Sequence, residues 1–449
     1  MKIALRLHAE GNRVAWIGAE ASVAPGALAR YYRGSGRPPI VIIDDAGRYG
    51  SQLVPTLHDV VSSDDVRMVI LGVRSYHEGW MGTPGARKLA VERQHIGRLT
   101  DGDIDRLLGA LEREKRLGEL RGFDQTRRRT AFRERADRQI LVALLEATSG
   151  ERFEDKVIGE WQSQEPVEQY VYALLALATA NGYYVLREEV LLACSGGTRE
   201  LDALQKLHRS HLLAQDDAQR YRVRHRVIAE TLLEELSERG TQLERLVIGL
   251  CRALAMRTSV GESRGSPRKR VLKRLLNHNG LLRLLDDTDA ARNVYAQLEN
   301  HLDGDYHFWL QRGCLELEDG DIRHAQNFIE QAVAMNSADP LVETANAHMQ
   351  LRRAITVPFG PDAEKNANAS FETLRRLVVA RGASDSYPAH VFGSQALGWC
   401  RHATLLPRVR RLLLRDAREI VGGALLQHRG RQELRQLLDD IKREELQAQ

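Results

Sequence analysis

The chain has 449 residues, more than the roughly 250–300 residues that one hydrophobic core serves, so we expect several domains. Hydrophobic residues make up 43% and charged residues 28% of the sequence, and the net charge is only +4. This composition is typical of globular domains and argues against a dedicated nucleic-acid-binding protein. The aromatic content of 6%, with few β-branched runs after residue 80, predicts a mainly helical protein.

The four cysteines lie far apart in the sequence and form no C-x-x-C pair. We therefore expect neither a disulfide framework nor a common zinc motif. The sequence has no run of about 18 apolar residues, and the N-terminus lacks the pattern of a cleaved signal peptide. These features predict a cytoplasmic protein with reduced thiols and no membrane partner.

The first 95 residues alternate between apolar runs and helical patterns. Residues 1–10 are amphipathic, and Gly11 is a natural helix stop, which favours a helix although the alternation also fits a strand. Strands that alternate with helices indicate a parallel α/β sheet. The strands and helices predicted after Gly11 are 14–17, 27–32, 40–45, 52–61 and 66–73.

Two carboxylates follow the most apolar of these runs, Ile40–Ile43. Ligands bind at the carboxyl ends of buried parallel strands, so Asp44 and Asp45 are placed to hold Mg²⁺ and to polarise a water. This is the Walker-B arrangement of P-loop NTPases, although the G-x-x-x-x-G-K-[ST] loop that accompanies it does not occur in the chain. The plainer alternative is that the acidic pair forms a turn or caps a helix. Arg74, at the end of the following strand, is either a second site residue or a surface arginine.

The pattern becomes purely helical after about residue 96. Thr100 and Asp103 form a capping-box-like helix start, and the Arg-rich segment 127–138 is interpreted as a solvated, ion-paired helix rather than a nucleotide contact. Residues 167–235 predict three helices closed by a β-hairpin, which is a winged-helix outline. Its basic helices either face DNA or pack as a relay, and we favour the relay. His225, at the end of the hairpin, is a candidate ligand contact or a partner of Glu230.

Helical hairpins fill the rest of the chain after a loop at 261–267. Trp309, Gly313, Ala325 and Ala332 match the spacing of a tetratricopeptide (TPR) helix pair, with Gly320 in its turn. The expected architecture is an α-solenoid of irregular repeats. The basic run 266–274 is interpreted as a solvated helix start rather than a phosphate contact, because no aromatic residues interleave with it.

In this order the elements resemble the STAND class of signal-transduction ATPases, and the closest likeness is to bacterial members with TPR-like repeats, including those of anti-phage defence. The resemblance implies a partial P-loop NTPase sheet, an all-α lid, a winged helix and a TPR-like α-solenoid, mainly α overall. The implied domain limits are 1–95, 96–163, 164–238 and 239–449.

The resemblance also implies roles for particular residues. Asp44 would assist in coordinating Mg²⁺, Asp45 would orient the attacking water and Arg74 would sense the γ-phosphate. His225 would contact the β-phosphate of ADP, although the Met-His-Asp context of the family is absent and Arg226 replaces the Asp.

Met1–Glu10 looks like the remainder of the helix that begins within the P-loop of this family. We therefore interpret the chain as starting just past the phosphate-binding loop of a longer parent. The parent would bind ATP or ADP with Mg²⁺ and hydrolyse ATP, whereas this chain alone would bind little nucleotide and lack turnover.

Three hypotheses of function follow. In the first, nucleotide state and ligand sensing by the C-terminal repeats control an upstream effector, with self-association on activation. In the second, the chain is a catalytically inactive scaffold whose repeats bind a protein or peptide. In the third, it is a STAND-type transcription regulator, which the absence of a helix-turn-helix pattern after the repeats argues against.

Overall fold

The computed structural model describes residues 2–17, 38–44, 46, 57, 66–72, 92, 100–115, 117–134, 153–194, 196–216, 218–238, 241–258, 262, 266–358, 361–382, 385–428 and 431–447. Most of these residues are helical, and the strands among them form two small sheets, so the expectation of a mainly helical protein is confirmed. The helices predicted at 27–32 and 52–61 lie outside the described residues, apart from Leu57. The chain divides into two compact units, one of residues 1–90 with 258–449 and the other of residues 91–257.

The first unit begins with helix α1 (Lys2–Ala9), which ends at Gly11 with a φ of +80°. Three parallel strands follow and pair in chain order, β1 (Val14–Ile17), β2 (Ile40–Ile43) and β3 (Met68–Leu71). In register, Ile17 is opposite Ile43, and Ile43 is opposite Leu71. Every residue of β2 is buried, as the continuous Val/Ile run predicts for a central parallel strand.

The second unit opens with α2 (Asp101–Arg113), a short 3₁₀ turn (Gly118–Gly122) and α3 (Gln125–Glu134). Thr100 and Asp103 cap α2 reciprocally, as the sequence predicts. The Arg-rich helix α3 is tied back onto α2, because Arg129 donates to Asp105 at 2.6 and 2.8 Å. Arg129 thus serves a contact between the two helices.

The remaining elements of the second unit surround α5 (Pro166–Ala180), which is almost entirely buried. A three-stranded antiparallel sheet lies beside it, in the order β4 (Val185–Leu186), β6 (Arg220–Val223) and β5 (Leu213–Gln215). Strands β5 and β6 form the hairpin that the sequence predicts, and the two-residue strand β4 pairs with β6. The last helix, α9, packs against α5 and α6. The elements are α4 (Phe153–Gln162), α5, β4 (Val185–Leu186), α6 (Arg187–Cys194), α7 (Thr198–Arg209), β5 (Leu213–Gln215), β6 (Arg220–Val223), α8 (Arg226–Ser237) and α9 (Thr241–Arg257).

Among the described residues, the first unit continues with ten further helices, and consecutive helices pack on one another. They are α10 (Pro267–Leu275), α11 (His278–Leu285), α12 (Thr288–Leu302), α13 (Tyr306–Asp319), α14 (Ile322–Asn336), α15 (Pro340–Thr356), α16 (Pro361–Arg381), α17 (Tyr387–His402), α18 (Pro407–Gln427) and α19 (Gln432–Gln447).

Aspartates cap four successive helices of this array, α12 to α15. The interval along the chain from Asp287 to Asp321 equals the interval from Asp305 to Asp339. Each side chain accepts a hydrogen bond from the backbone N–H two residues further on. The second helix pair therefore repeats the helix starts of the first pair at one fixed interval along the chain.

Helices α13 and α14 are in close contact at Gly313. A Cβ atom at Gly313 would lie 2.6 Å from Cγ1 of Ile329 and 3.2 Å from its backbone nitrogen. Ala325 and Ala332 are fully buried on the facing helix. Small residues at these positions bring the two helices together, and a larger side chain would separate them.

We predict that Gly313→Ala destabilises the protein by about 1–2 kcal/mol, because overpacking outweighs the gain in helix propensity. Gly422→Ala is the matched control, since Gly422 lies inside α18 and a Cβ atom there would have no neighbour within 4 Å. That change should stabilise by about 0.5–1 kcal/mol. Urea unfolding followed by circular dichroism measures both. Equal effects of the two substitutions would contradict the close approach at Gly313.

Candidate functional site

The acidic end of strand β2 is the first candidate site. Asp44 follows Ile43 directly, its side chain is exposed, and its backbone nitrogen donates to the carbonyl of Ile17 at 3.1 Å. Asp44 therefore stands at the carboxyl edge of the sheet, where parallel strands end together. Asp45 and Arg74 lie outside the described residues. In the part of the chain that the structure describes, no three His, Cys, Asp or Glu side chains come together as a metal-binding group.

His225 belongs to the second unit and is the N-cap of α8. Its Nδ1 accepts a hydrogen bond from the backbone N–H of Val227 at 3.2 Å, in place of the hydroxyl or carboxylate that usually caps a helix. Glu230, a partner considered for His225 from the sequence, accepts a hydrogen bond from Arg226 at 2.6 Å. A contact between His225 and a nucleotide stays a prediction.

A cleft of about 990 Å³ is the second candidate site, and the sequence analysis did not identify it. It lies over α13, between α12 and α14. The signal was present in part, because Trp309 and Gly320 belong to the helix pair that the sequence predicts here. The lining residues are Arg292, Asn293, Ala296, Arg312, Leu315, Glu316, Asp319, Gly320, Asp321, His324 and Phe328.

Two arginines of the cleft are held by carboxylates. Arg292 donates to both carboxylate oxygens of Glu316, at 2.9 and 3.2 Å, and Glu316 is only 5% exposed. This bidentate pair raises the pKa of Arg292 above its usual value. Arg312 donates to Glu299 at 2.6 Å. Both positive charges of the cleft are therefore balanced by protein carboxylates.

Flat ring surfaces form one side of the cleft. The guanidinium carbon of Arg312 lies 4.1 Å from the ring centroid of Phe328, a cation–π contact worth roughly 0.5–2 kcal/mol. Trp309 stacks on Phe328 at 5.8 Å, and His324 stacks on it at 6.4 Å. Elsewhere in the cleft, the exposed Asp319 carboxylate makes no ion pair with any described residue. The cleft thus contains an unbalanced negative charge and, separately, an aromatic surface.

A row of polar side chains crosses the neighbouring helices α11, α13, α15 and α17. Nδ1 of the buried His278 lies 2.8 Å from Oε1 of Gln311, and its Nε2 lies 3.3 Å from Glu318. Further along, Nε2 of His348 lies 3.1 Å from Nε2 of Gln395. Nδ1 of His348 and Oε1 of Gln395 are buried without a hydrogen-bond partner among the described residues. Buried polar atoms of this kind are costly, so the row is a sensitive part of the array.

We predict that the helical array loses stability as the pH falls from about 6.5 to about 4. The pKa of His348 is lowered to about 4, chiefly by burial and also by the nearby Arg352 and His390, while Glu318 acts in the opposite direction. The unfolded chain takes up this proton at higher pH than the folded chain. The neutral His348 ring therefore contributes fully to the free energy of unfolding above the unfolded pKa, and this contribution is lost as the pH falls towards the folded pKa. The slope is at most about 1.4 kcal/mol per pH unit for one proton.

His348→Gln should flatten this pH dependence because the amide does not titrate. Thermal unfolding of the two proteins between about pH 4 and pH 7.5 measures the difference. His301→Gln, at an exposed position of α12, is the control and should retain the wild-type profile. A His348→Gln profile as steep as that of the wild type would contradict the assignment.

No family model, no curated protein and no solved structure matches the chain.

Among the described residues, no helix is both long enough and apolar enough to cross a membrane.

Proposed function

We propose that this chain is a regulatory module of a STAND-class signal-transduction ATPase, in which ligand sensing by the helical array and nucleotide state together control an effector. The observation that carries the proposal is the sheet of three parallel strands in chain order, with Asp44 directly after the fully buried central strand. A carboxylate at this position suits Mg²⁺ on a nucleotide. Anti-phage defence is the setting in which we place the module.

Two further features support the same architecture. In the second unit, helices α5 to α7 precede a hairpin whose strand β6 also pairs with β4, which is the arrangement we interpret as a winged helix. In the first unit, the interval between equivalent aspartate caps matches the tetratricopeptide repeat length of about 34 residues. We therefore interpret α12 to α15 as TPR-like repeats.

The test of the nucleotide role starts from the coding DNA upstream of the Met1 codon, read in frame. A G-x-x-x-x-G-K-[ST] sequence ending within a few codons of Met1 would support the proposal. We predict that the chain including that loop hydrolyses ATP, while Asp45→Ala abolishes turnover and spares nucleotide binding, because Asp45 would orient the water. Turnover is measured as phosphate release, and binding by titration calorimetry.

The present chain is the control for this experiment and should bind little ATP even at millimolar concentration. Continued hydrolysis by the Asp45→Ala variant would show that the acidic strand is not a Walker-B strand. A stop codon upstream without such a loop would favour the scaffold described next.

The second candidate function is a partner-binding scaffold, and the observation that favours it is the cleft over α13. Its two arginines are balanced by Glu316 and Glu299, which leaves the carboxylate of Asp319 unbalanced in a cleft that also contains the ring of Phe328. A cleft that offers an unbalanced carboxylate and an aromatic ring suits a segment with lysine or arginine side chains. We therefore propose that the ligand of the repeats is a basic protein segment or peptide.

We predict that fluorescein-labelled, alanine-based peptides of about 12 residues with central lysines or arginines bind more tightly than matched peptides with central glutamates or leucines. Asp319→Asn should weaken this binding by roughly threefold to tenfold, and Phe328→Ala by about tenfold or more. Fluorescence anisotropy measures the affinities, and circular dichroism verifies that each variant is folded.

Asp362→Asn is the matched control, since Asp362 is an exposed aspartate in the first turn of α16. It should leave the affinity for the basic peptides unchanged. Equal weakening by Asp319→Asn and Asp362→Asn would indicate attraction by overall charge and would exclude the cleft as the site.

A further inference from the structure

One face of helix α18 is exposed although it carries apolar side chains. The opposite face is buried in the core of the array through Leu414, Ala417 and Val421, all at 0% exposure. On the solvent side, Leu412 is 43% exposed, and Leu406, just before the helix, is 73% exposed. An amphipathic helix that has already buried one apolar stripe gains nothing from a second one in water.

Arginines flank Leu412 on this face. Arg408, Arg411 and Arg415 follow a spacing of three and four residues, which places them side by side along the helix. Arg408 and Arg411 are exposed and form no hydrogen bond or ion pair with any described residue. Arg415 approaches a carboxylate only at Glu419, at 4.0 Å, among the residues that the structure describes.

The neighbouring arginines of the same helix behave differently. Arg410 donates to Glu444 at 2.5 Å, and Arg418 donates to Glu445 at 3.0 Å, so both are held by α19. Arg410 and Arg418 are therefore paired with carboxylates of α19, whereas Arg408 and Arg411 are not. The result is a shallow groove of about 240 Å³, lined by Arg408, Arg411, Leu412, Arg415 and Glu445.

We propose that this groove, the α18 face, binds an acidic amphipathic helix of a partner protein. Carboxylates spaced by three and four residues on such a helix would match the spacing of Arg408, Arg411 and Arg415, and each guanidinium can hold a carboxylate through two hydrogen bonds. An apolar side chain between those carboxylates would cover Leu412. The proposal is independent of the nucleotide role and of the cleft over α13.

Charge and composition favour this occupant over nucleic acid. A phosphate backbone would use the arginines but leave Leu412 in water. Helix α18 also carries no aromatic residue on which a base could stack. A partner helix that is both acidic and apolar would pair with the arginines and also bury Leu412, so both types of groove residue would contribute to binding.

The test uses the full chain and a labelled synthetic peptide of about 18 residues of glutamate, leucine and alanine, designed as a helix with glutamates on both sides of a leucine stripe. We expect binding in fluorescence anisotropy at about 0.15 M salt. Arg408→Glu combined with Arg411→Glu should weaken it at least about tenfold, and Leu412→Ser roughly threefold or more. All three positions are exposed, so the variants should fold, which circular dichroism verifies.

Arg323→Glu is the matched control, since Arg323 is an exposed arginine on α14, and its affinity should equal that of the wild type. Binding that does not change in the Leu412→Ser variant would overturn the proposal, since it would reflect charge alone. Equal or tighter binding of a single-stranded DNA of about 20 nucleotides, or of vesicles with about one-third phosphatidylserine, would also overturn it. So would peptide-independent dimerisation of the chain that the two charge reversals abolish.

Discussion

The helical array depends on where its helices begin, and for α12 to α15 aspartate side chains fix those positions. An α-helix leaves its first backbone N–H groups without intrahelical partners, and one capping oxygen contributes about 1 kcal/mol. Asp287, Asp305, Asp321 and Asp339 each provide such an oxygen. Because equivalent caps of the two helix pairs are separated by the same interval, the pairs start in equivalent registers. Every contact between their helices then follows from those starting points.

The register brings small residues of one helix opposite bulky residues of the next. Gly313 meets Ile329 in this way, and Gly393 of α17 meets Val421. Several of the polar side chains buried by this packing find their hydrogen-bond partners within the array. Glu316 illustrates the point, since it receives Arg292 and also accepts from the backbone N–H of Asp321 at 3.3 Å. A single buried carboxylate thereby secures both the turn after α13 and one wall of the cleft.

Local features were the ones that could be predicted from the sequence. The buried strand Ile40–Ile43, the helix stop at Gly11 and the cap formed by Thr100 and Asp103 each depend on a few adjacent residues, and all three are present. Such short patterns are predictive because the same few residues supply the physical cause of the structure, which is continuous burial, a positive φ or a reciprocal hydrogen bond.

Features that join distant residues could not be predicted in the same way. Strand β4 is too short for an alternating pattern, and it exists because Val185 pairs with Tyr221, which is distant in the sequence. The cap formed by His225 had no signal, since histidine is not among the residues that usually cap helices. The cleft depends on pairs such as Arg312 with Glu299, which meet only after the helices have packed. The spacing of these aspartates was visible in the sequence, but aspartate is common at turns. The spacing could be recognised as a repeat only after the structure showed that these four aspartates cap helices.

The distribution of paired and unpaired charges explains how a chain with a net charge of only +4 could recognise partners of opposite sign. Overall charge would attract acidic and basic partners almost equally at this value. The arginines that have a carboxylate partner serve the fold and are not available for recognition. Among the charges without a partner are a carboxylate in the cleft that also contains an aromatic ring, and guanidinium groups beside an exposed leucine on the α18 face. Selectivity at each surface would then follow from which ion pairs the fold leaves incomplete.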